Sequence, residues 1–167
     1  DWRRHQVNEL VFKIYKTIHQ EKSWVKFGIS PFGIGKPKNL PAGISGFSQF
    51  DKLYADVELW LSNGWLDYLA PQLYWPINQA AQAFGILDQY WISQNKMGRH
   101  IWPGLYTSRI DNSEKSWLTD EVINQIEVTR EMGNGGHIHF SMVALLQNRK
   151  DIASRLMKEK YLQPALV

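Results

Sequence analysis

The chain has no cysteine in its 167 residues, which removes disulfide frameworks, thiolate metal sites and haem attachment. Runs of like charge are also missing. Nineteen Lys and Arg against sixteen Asp and Glu leave a net +3 spread along the sequence, so no basic arm for nucleic acid is present and a polyanion is not the expected partner. Nothing approaches the roughly eighteen apolar residues of a membrane span, and no apolar stretch of a secretory leader follows Asp1-Trp2-Arg3-Arg4. No Gly-x-Gly-x-x-Gly, phosphate-binding Gly-Lys loop or Gly-x-Ser-x-Gly elbow occurs, which argues against nucleotide binding by those routes and against a serine triad. What is present is 44% hydrophobic and 21% charged, the profile of one water-soluble segment over 1–167. The opening inside a helix entry suggests an excised piece of a longer protein. The unusual figure is 13% aromatic with eight tryptophans, residues that stack on ring-shaped ligands as well as fill cores.

Apolar residues at Val7, Leu10, Val11, Ile14, Tyr15 and Ile18 predict a first helix with one buried face. A strand is expected over Trp24–Ser30, then a loop to Phe47. Ser48 and Asp51 resemble a capping box for one helix with a face of Phe50, Leu53, Tyr54, Val57, Trp60 and Leu61, stopped at Asn63-Gly64. Leu66–Trp75 predicts a second strand. A helix from about Asn78 to Gln94 follows, with Ala80, Phe84, Leu87 and Trp91 inward. His100–Tyr106 predicts a third strand, and Thr119 caps a helix burying Val122, Ile123, Ile126 and Thr129. His137–Met142 is a fourth strand, and Asp151 to about Lys160 the last helix. Strand centres roughly 33 to 42 residues apart suit parallel strands joined by crossover helices. The fold class is therefore α/β. A closed (β/α)8 barrel takes eight strands and roughly 250 residues, so four strands supply half of one. The alternative is a small open doubly wound sheet.

In both architectures ligands bind at the carboxyl ends of the strands. Those ends carry Ser30 and Phe32, Gln72, Tyr74 and Trp75, Tyr106 and Arg109, and His139, a set of hydroxyls, amide, imidazole, guanidinium and rings suited to sugars. Trp75 and Tyr74 alternate, so one of the two is expected in the cleft; Trp75 is read equally as a platform or as packing under a loop. Arg109 is read as an ion pair with Asp111 or as a ligand-carboxylate clamp. One of Arg3 and Arg4, unfavourable at a helix start, is expected to be held by a carboxylate elsewhere.

Glycosidic cleavage ordinarily needs two carboxyl groups, and the strand ends hold none. Asp67 belongs at the far end of strand two. Asp56, Glu58, Asp88, Glu121, Glu127, Glu131 and Glu159 are read as solvated helix residues. Asp111 and Glu114 lie in a loop within reach of the cleft, and Asp1, at the site end of the first helix, is the candidate catalytic residue. His137 and His139 are expected on opposite faces of their strand, in structural or ligand-bonding roles rather than as a zinc site. No metal or cofactor is called for.

Six ordered blocks then stand out: Trp2-Arg3-Arg4-His5-Gln6-Val7-Asn8, Val25 to Ile34, Leu53-Tyr54-Ala55-Asp56, Pro71-Gln72-Leu73-Tyr74-Trp75, Trp102 to Tyr106, and Gly136 to Ser141. Together they resemble the glycosyl hydrolase-like family 10 proteins, a group that includes a bacterial glycosidase acting on peptidoglycan strands stripped of their peptides. The match runs to the final Pro164-Ala165-Leu166-Val167. The resemblance implies a (β/α)8 barrel of which this chain is the second half, strands five to eight. It implies a polysaccharide substrate, and general acid and nucleophile carried by an acidic run before Asp1, in the N-terminal half. It also implies a periplasmic, cell-envelope or extracellular location. Gly35 replaces the Trp that members usually carry, which removes one platform. The bare edges of Trp24–Ser30 and His137–Met142 are expected to drive dimerisation unless the other half is supplied. A different class, a non-catalytic carbohydrate-binding or scaffold piece, stands beside the glycosidase reading.

Overall fold

Proline decides how long the strands can be. The computed structural model describes residues 1–163, so the last quoted block, 164–167, lies outside the described residues. In it β1 (Gly28–Ile29), β2 (Tyr68–Leu69), β3 (His100–Ile101), β4 (Gly104–Leu105) and β5 (Ile138–His139) each contain two residues. Pro31, Pro71 and Pro103 interrupt the ladders because a proline nitrogen donates nothing. The expected ten-residue second strand therefore shrinks to a pair plus single bridges at Gln72, and the expected third strand divides at Trp102-Pro103.

All pairings are parallel: β1 with β2, β2 with β3, and β4 with β5. The Gln72 to Gly104 bridge and the bond from Ile138 N to Pro103 O join these into one four-strand arc. The expected α/β order with parallel strands is observed. Each crossover runs through a helix, α3 (Val57–Ser62) before β2, α4 (Phe84–Gln94) before β3, and α5 (Thr119–Glu131) before β5.

The core lies between the arc and these helices. Leu69, Leu73 and Leu105 from the strand segments, Phe84, Leu87 and Trp91 from α4, and Val122 and Ile126 from α5 are fully buried. Trp91 also donates from Nε1 to Gly33 O at 2.9 Å, tying α4 to the end of β1. α7 (Ile152–Glu159) closes the layer with Ile152 and Leu156.

Several sequence expectations give way to tertiary structure. α1 (Trp2–Glu21) forms, but of its apolar face only Val11 is buried, while Leu10 and Ile14 are exposed. The helix docks instead through Asn8, which accepts from Trp60 Nε1 at 2.7 Å, and through Phe12 against Trp65. The single helix expected after Ser48 is two, α2 (Gln49–Lys52) and α3. The break is at Tyr54, whose φ of 57° no helix accommodates, and Asp56 recaps α3 by accepting from Leu59 N. Ser48 does cap α2, through Asp51 N.

Ala80 is exposed in a 3-10 turn outside α4. Thr119 does not cap α5; its hydroxyl donates to Lys150 O at 2.9 Å, across to the turn before α7. A short helix, α6 (Met142–Leu146), takes Met142 from the end of the expected fourth strand and fills a stretch for which no element was expected.

Candidate active site

The concave face of the arc is built from aromatic rings laid over glycines of the neighbouring strand. Tyr68 covers Gly28, Tyr74 covers Gly104 and Trp102 covers Gly136, so closely that a Cβ at Gly28 would enter the Tyr68 ring. At the carboxyl end this face opens into the candidate site. Tyr74 sits 5.1 Å from Tyr106 and stacks on Phe140 at 5.3 Å, and Trp117 meets Tyr106 edge-on at 6.0 Å. Burial raises the Tyr74 phenol above its ordinary value, with the neighbouring Tyr106 adding to the effect.

Next to the rings, Gln72 donates from Nε2 to Ser30 O at 3.0 Å and approaches Ser30 Oγ at 3.4 Å. Ser108 and Ser141 join the ends of β4 and β5, hydroxyl to hydroxyl at 3.0 Å. The structure thus gathers Ser30, Gln72, Tyr74 and Tyr106 at one end of the arc. Phe140, Trp117, Ser108 and Ser141 join them without having been singled out. Strict alternation would have found Phe140, since it shares a face with Ile138 and opposes His139.

Trp75 is half-buried. Its ring lies against Gly33 and 6.0 Å from Phe32, in contact with the core, and its carbonyl accepts from Gln125 Nε2. Phe32 in turn contacts Phe47 at 5.0 Å, forming a second, smaller aromatic group. Arg109 lies in the 3-10 turn Thr107–Arg109 and makes no ion pair with Asp111 among the described contacts. Asp111 instead accepts from Ser113 N and Oγ, and these bonds hold its carboxyl below the usual range.

Asp1 is fully exposed and pairs with Arg4 at 3.0 Å. That carboxylate is local rather than elsewhere in the fold. Arg4 further stacks on Phe50 at 3.7 Å and donates to Phe50 O, while Arg3 donates to Tyr54 Oη at 2.7 Å.

Three carboxyls expected in solvent are buried. Glu58 accepts from Lys36 N, Asn39 Nδ2 and the Tyr90 hydroxyl, and Asp56 pairs with Lys36 Nζ at 2.7 Å. This cluster fixes the loop after β1. It also explains Gly35, because a side chain there would collide with Tyr90 and Glu58. Asp88 is fully buried on α4, accepts from Asn134 Nδ2 at 2.8 Å through one oxygen, and is pushed up to about 7 by burial. Helical pattern alone hides these three, since their partners come from other elements. Asp67, as expected, sits at the far end of the arc, bonded to Phe27 N and 3.1 Å from His19.

His137 and His139 do not part to opposite faces. Residues two apart on a strand share a face, and both rings converge on the Tyr161 hydroxyl, at 2.5 Å and 2.8 Å. His139 pairs in register with fully buried Leu105, which places it on the helix side of β5, away from the Phe140 cluster. Burial holds both imidazoles down to about 4 and raises Tyr161 to about 12. Among the described residues no three His, Cys, Asp or Glu side chains are grouped.

Parallel β/α units thus carry a ring-lined, hydroxyl- and amide-bearing surface at the carboxyl ends of their strands. The comparisons with known proteins identify the family. A family model described as Glycosyl hydrolase-like 10 matches residues 1–119. The chain is 38% identical over 175 residues to "Glycosyl hydrolase YngK" of Bacillus subtilis (strain 168), which covers all of this chain and 34% of that protein. It is 37% identical over 134 residues to "Glycosyl hydrolase DigH" of Escherichia coli (strain K12) and of Shigella flexneri, covering 76% of this chain and 30% of each relative. The chain belongs to the glycosyl hydrolase-like 10 family, and it spans about a third of the length of the curated relatives it matches.

Proposed function

We propose that this chain is one flank of a (β/α)8 glycosidase barrel, strands five to eight, acting on a bacterial polysaccharide. Peptidoglycan glycan is the favoured substrate, by the family resemblance in the six sequence blocks. The observation that carries the reading is the surface at the carboxyl end of the arc, where Tyr74, Tyr106 and Phe140 offer ring faces beside the amide of Gln72 and the hydroxyl of Ser30. Rings stack on pyranose faces while amide and hydroxyl groups exchange hydrogen bonds with sugar hydroxyls. In this reading the general acid and nucleophile come from the part of the barrel that precedes Asp1, and Arg109 and the Asp1–Arg4 pair border the cleft. Asp1 is the candidate carboxylate on this chain.

Supporting the barrel, the outer edges of β1 and β5 have no partner strand among the described residues, and Leu10 and Ile14 of α1 and Ile138 on the concave face are exposed. The preceding half of the barrel would cover them. Without it, edge pairing between copies is the expected alternative. The location proposed is the cell envelope or outside the cell, where the substrate is.

The test is turnover of labelled, peptide-free glycan strands by the full-length protein, by this chain alone, and by full-length Tyr106→Ala. Turnover by the full-length protein, reduced at least about tenfold by Tyr106→Ala and absent from the isolated chain, is expected. Turnover by the isolated chain would refute the placing of the acids elsewhere. Binding by the full-length protein without turnover would favour a carbohydrate-binding scaffold.

A further inference from the structure

The strongest arrangement that the glycan reading does not use is on the opposite side of the arc. His137 and His139 present both Nε2 atoms to one oxygen, Tyr161 Oη, at 2.5 Å and 2.8 Å. His139 is fixed from behind, its Nδ1 2.6 Å from Oγ1 of Thr107, which is fully buried. When the hydroxyl oxygen accepts from Nδ1–H, the Nε2 lone pair points at the shared oxygen. That orienting partner is what a metal-bound histidine characteristically has.

The group opens onto a cavity of about 710 Å³ lined also by Arg130 and Asn134. The nearest cations are engaged elsewhere: Lys160 pairs with Glu127, and Arg130 donates to Lys160 O at 2.7 Å. Burial outweighs the charge of Arg130 and keeps the phenol neutral until an ion displaces its proton.

We propose that His137, His139 and Tyr161 form a binding site for a divalent transition ion of the zinc or copper type, with a fourth position open to the cavity. Two imidazoles and a phenolate are a donor set these ions accept. Ligands of one tetrahedral ion at about 2.0–2.1 Å stand roughly 3.3 Å apart, so the two observed contacts have to open by less than about 1 Å. On binding, the phenol proton leaves to solvent, the His137 Nε2 proton is transferred through water to its Nδ1, and the ion takes the place of the two shared hydrogens. Such an ion would pin the segment after α7 to β5, a link between the last helix and the last strand that hydrogen bonds alone make weakly.

The experiment uses full-length protein stripped with a chelator and titrated with Cu2+ and with Zn2+. One equivalent is expected, with nitrogen hyperfine structure from two imidazoles in the copper resonance spectrum and a visible phenolate-to-copper band. His139→Asn should weaken binding by more than about 100-fold and Thr107→Val by about 10- to 100-fold. Tyr161→Phe should remove the visible band while keeping the nitrogen signal. Absence of stoichiometric uptake, or uptake unchanged in His137→Asn and His139→Asn, would overturn the proposal and leave a hydrogen-bonded latch. Circular dichroism checks each variant; where a histidine variant fails to fold, Thr107→Val and Tyr161→Phe carry the test.

Discussion

The two faces of the arc solve different problems with the same strands. On the helix side, Leu69, Leu73 and Leu105 meet Phe84, Trp91 and Ile126, all without solvent exposure, and aliphatic side chains interlock with helices that the same chain supplies. On the concave side, flat rings lie over glycines and remain partly open, with Phe140 half exposed and Tyr74 and Tyr106 in between. The first arrangement holds the fold together. The second offers ring faces and polar groups to whatever enters, and its shape depends on glycine where any other residue would displace a ring.

That contrast can be broken deliberately. Trp91→Ala, on the helix side, should cost about 3–5 kcal/mol in urea unfolding, because a cavity is left and the bond to Gly33 O is lost. A cost under about 1 kcal/mol would show the helix side to be looser than described. Asp88 adds a pH dependence on the same side. Its folded-state value, about 7, lies above the ordinary 3.8, so the folded state holds the proton more tightly than the unfolded chain. The contribution of Asp88 to stability is then fully present below about pH 4 and is lost as pH rises to about 7, by on the order of 4 kcal/mol at most. Asp88→Asn, a mimic of the protonated acid, should flatten that slope in unfolding curves taken from pH 4 to 7.5; an unchanged slope would assign it to other groups.

On the concave side the effects should be smaller in stability and larger in binding. Gly28→Ala forces the Tyr68 ring to move and should cost about 1–3 kcal/mol, with intact helical circular dichroism. Tyr106→Ala should cost only about 1 kcal/mol in stability, yet lower glycan affinity at least about tenfold in the full-length protein. If the stability loss were the larger of the two, the ring cluster would belong to the core and not to a site. Last, Ser48→Ala should remove about 1 kcal/mol by uncapping α2, measured by the urea midpoint, without altering glycan binding.

Much of the candidate site could be read from spacing alone, and its failures have identifiable causes. Ser30, Gln72, Tyr74 and Tyr106 fall together because strand ends in a parallel arc share one edge, a rule that needs only the order of elements. Trp75 lies half-buried against Gly33, which leaves room for its ring, a fact about a neighbour 42 positions earlier in the chain. His139 was assigned to the cleft although Phe140, one residue on, faces it. Glu58, Asp56 and Asp88 looked solvated because a helical wheel shows which residues share a face and says nothing of a Lys36, Tyr90 or Asn134 arriving from another element.

The amino-acid sequence by itself determined the alternation of helix and strand, the parallel pairing and the interruptions at Pro31, Pro71 and Pro103, since periodicity, crossover length and the missing proline N–H act locally. Tertiary structure alone decided which rings line the open face and which pack in the core, why α1 leaves much of its apolar face uncovered, and that His137, His139 and Tyr161 meet. Those outcomes depend on contacts between residues 22 to 58 positions apart, where close packing and the burial of polar groups select one arrangement from many that the local pattern allows.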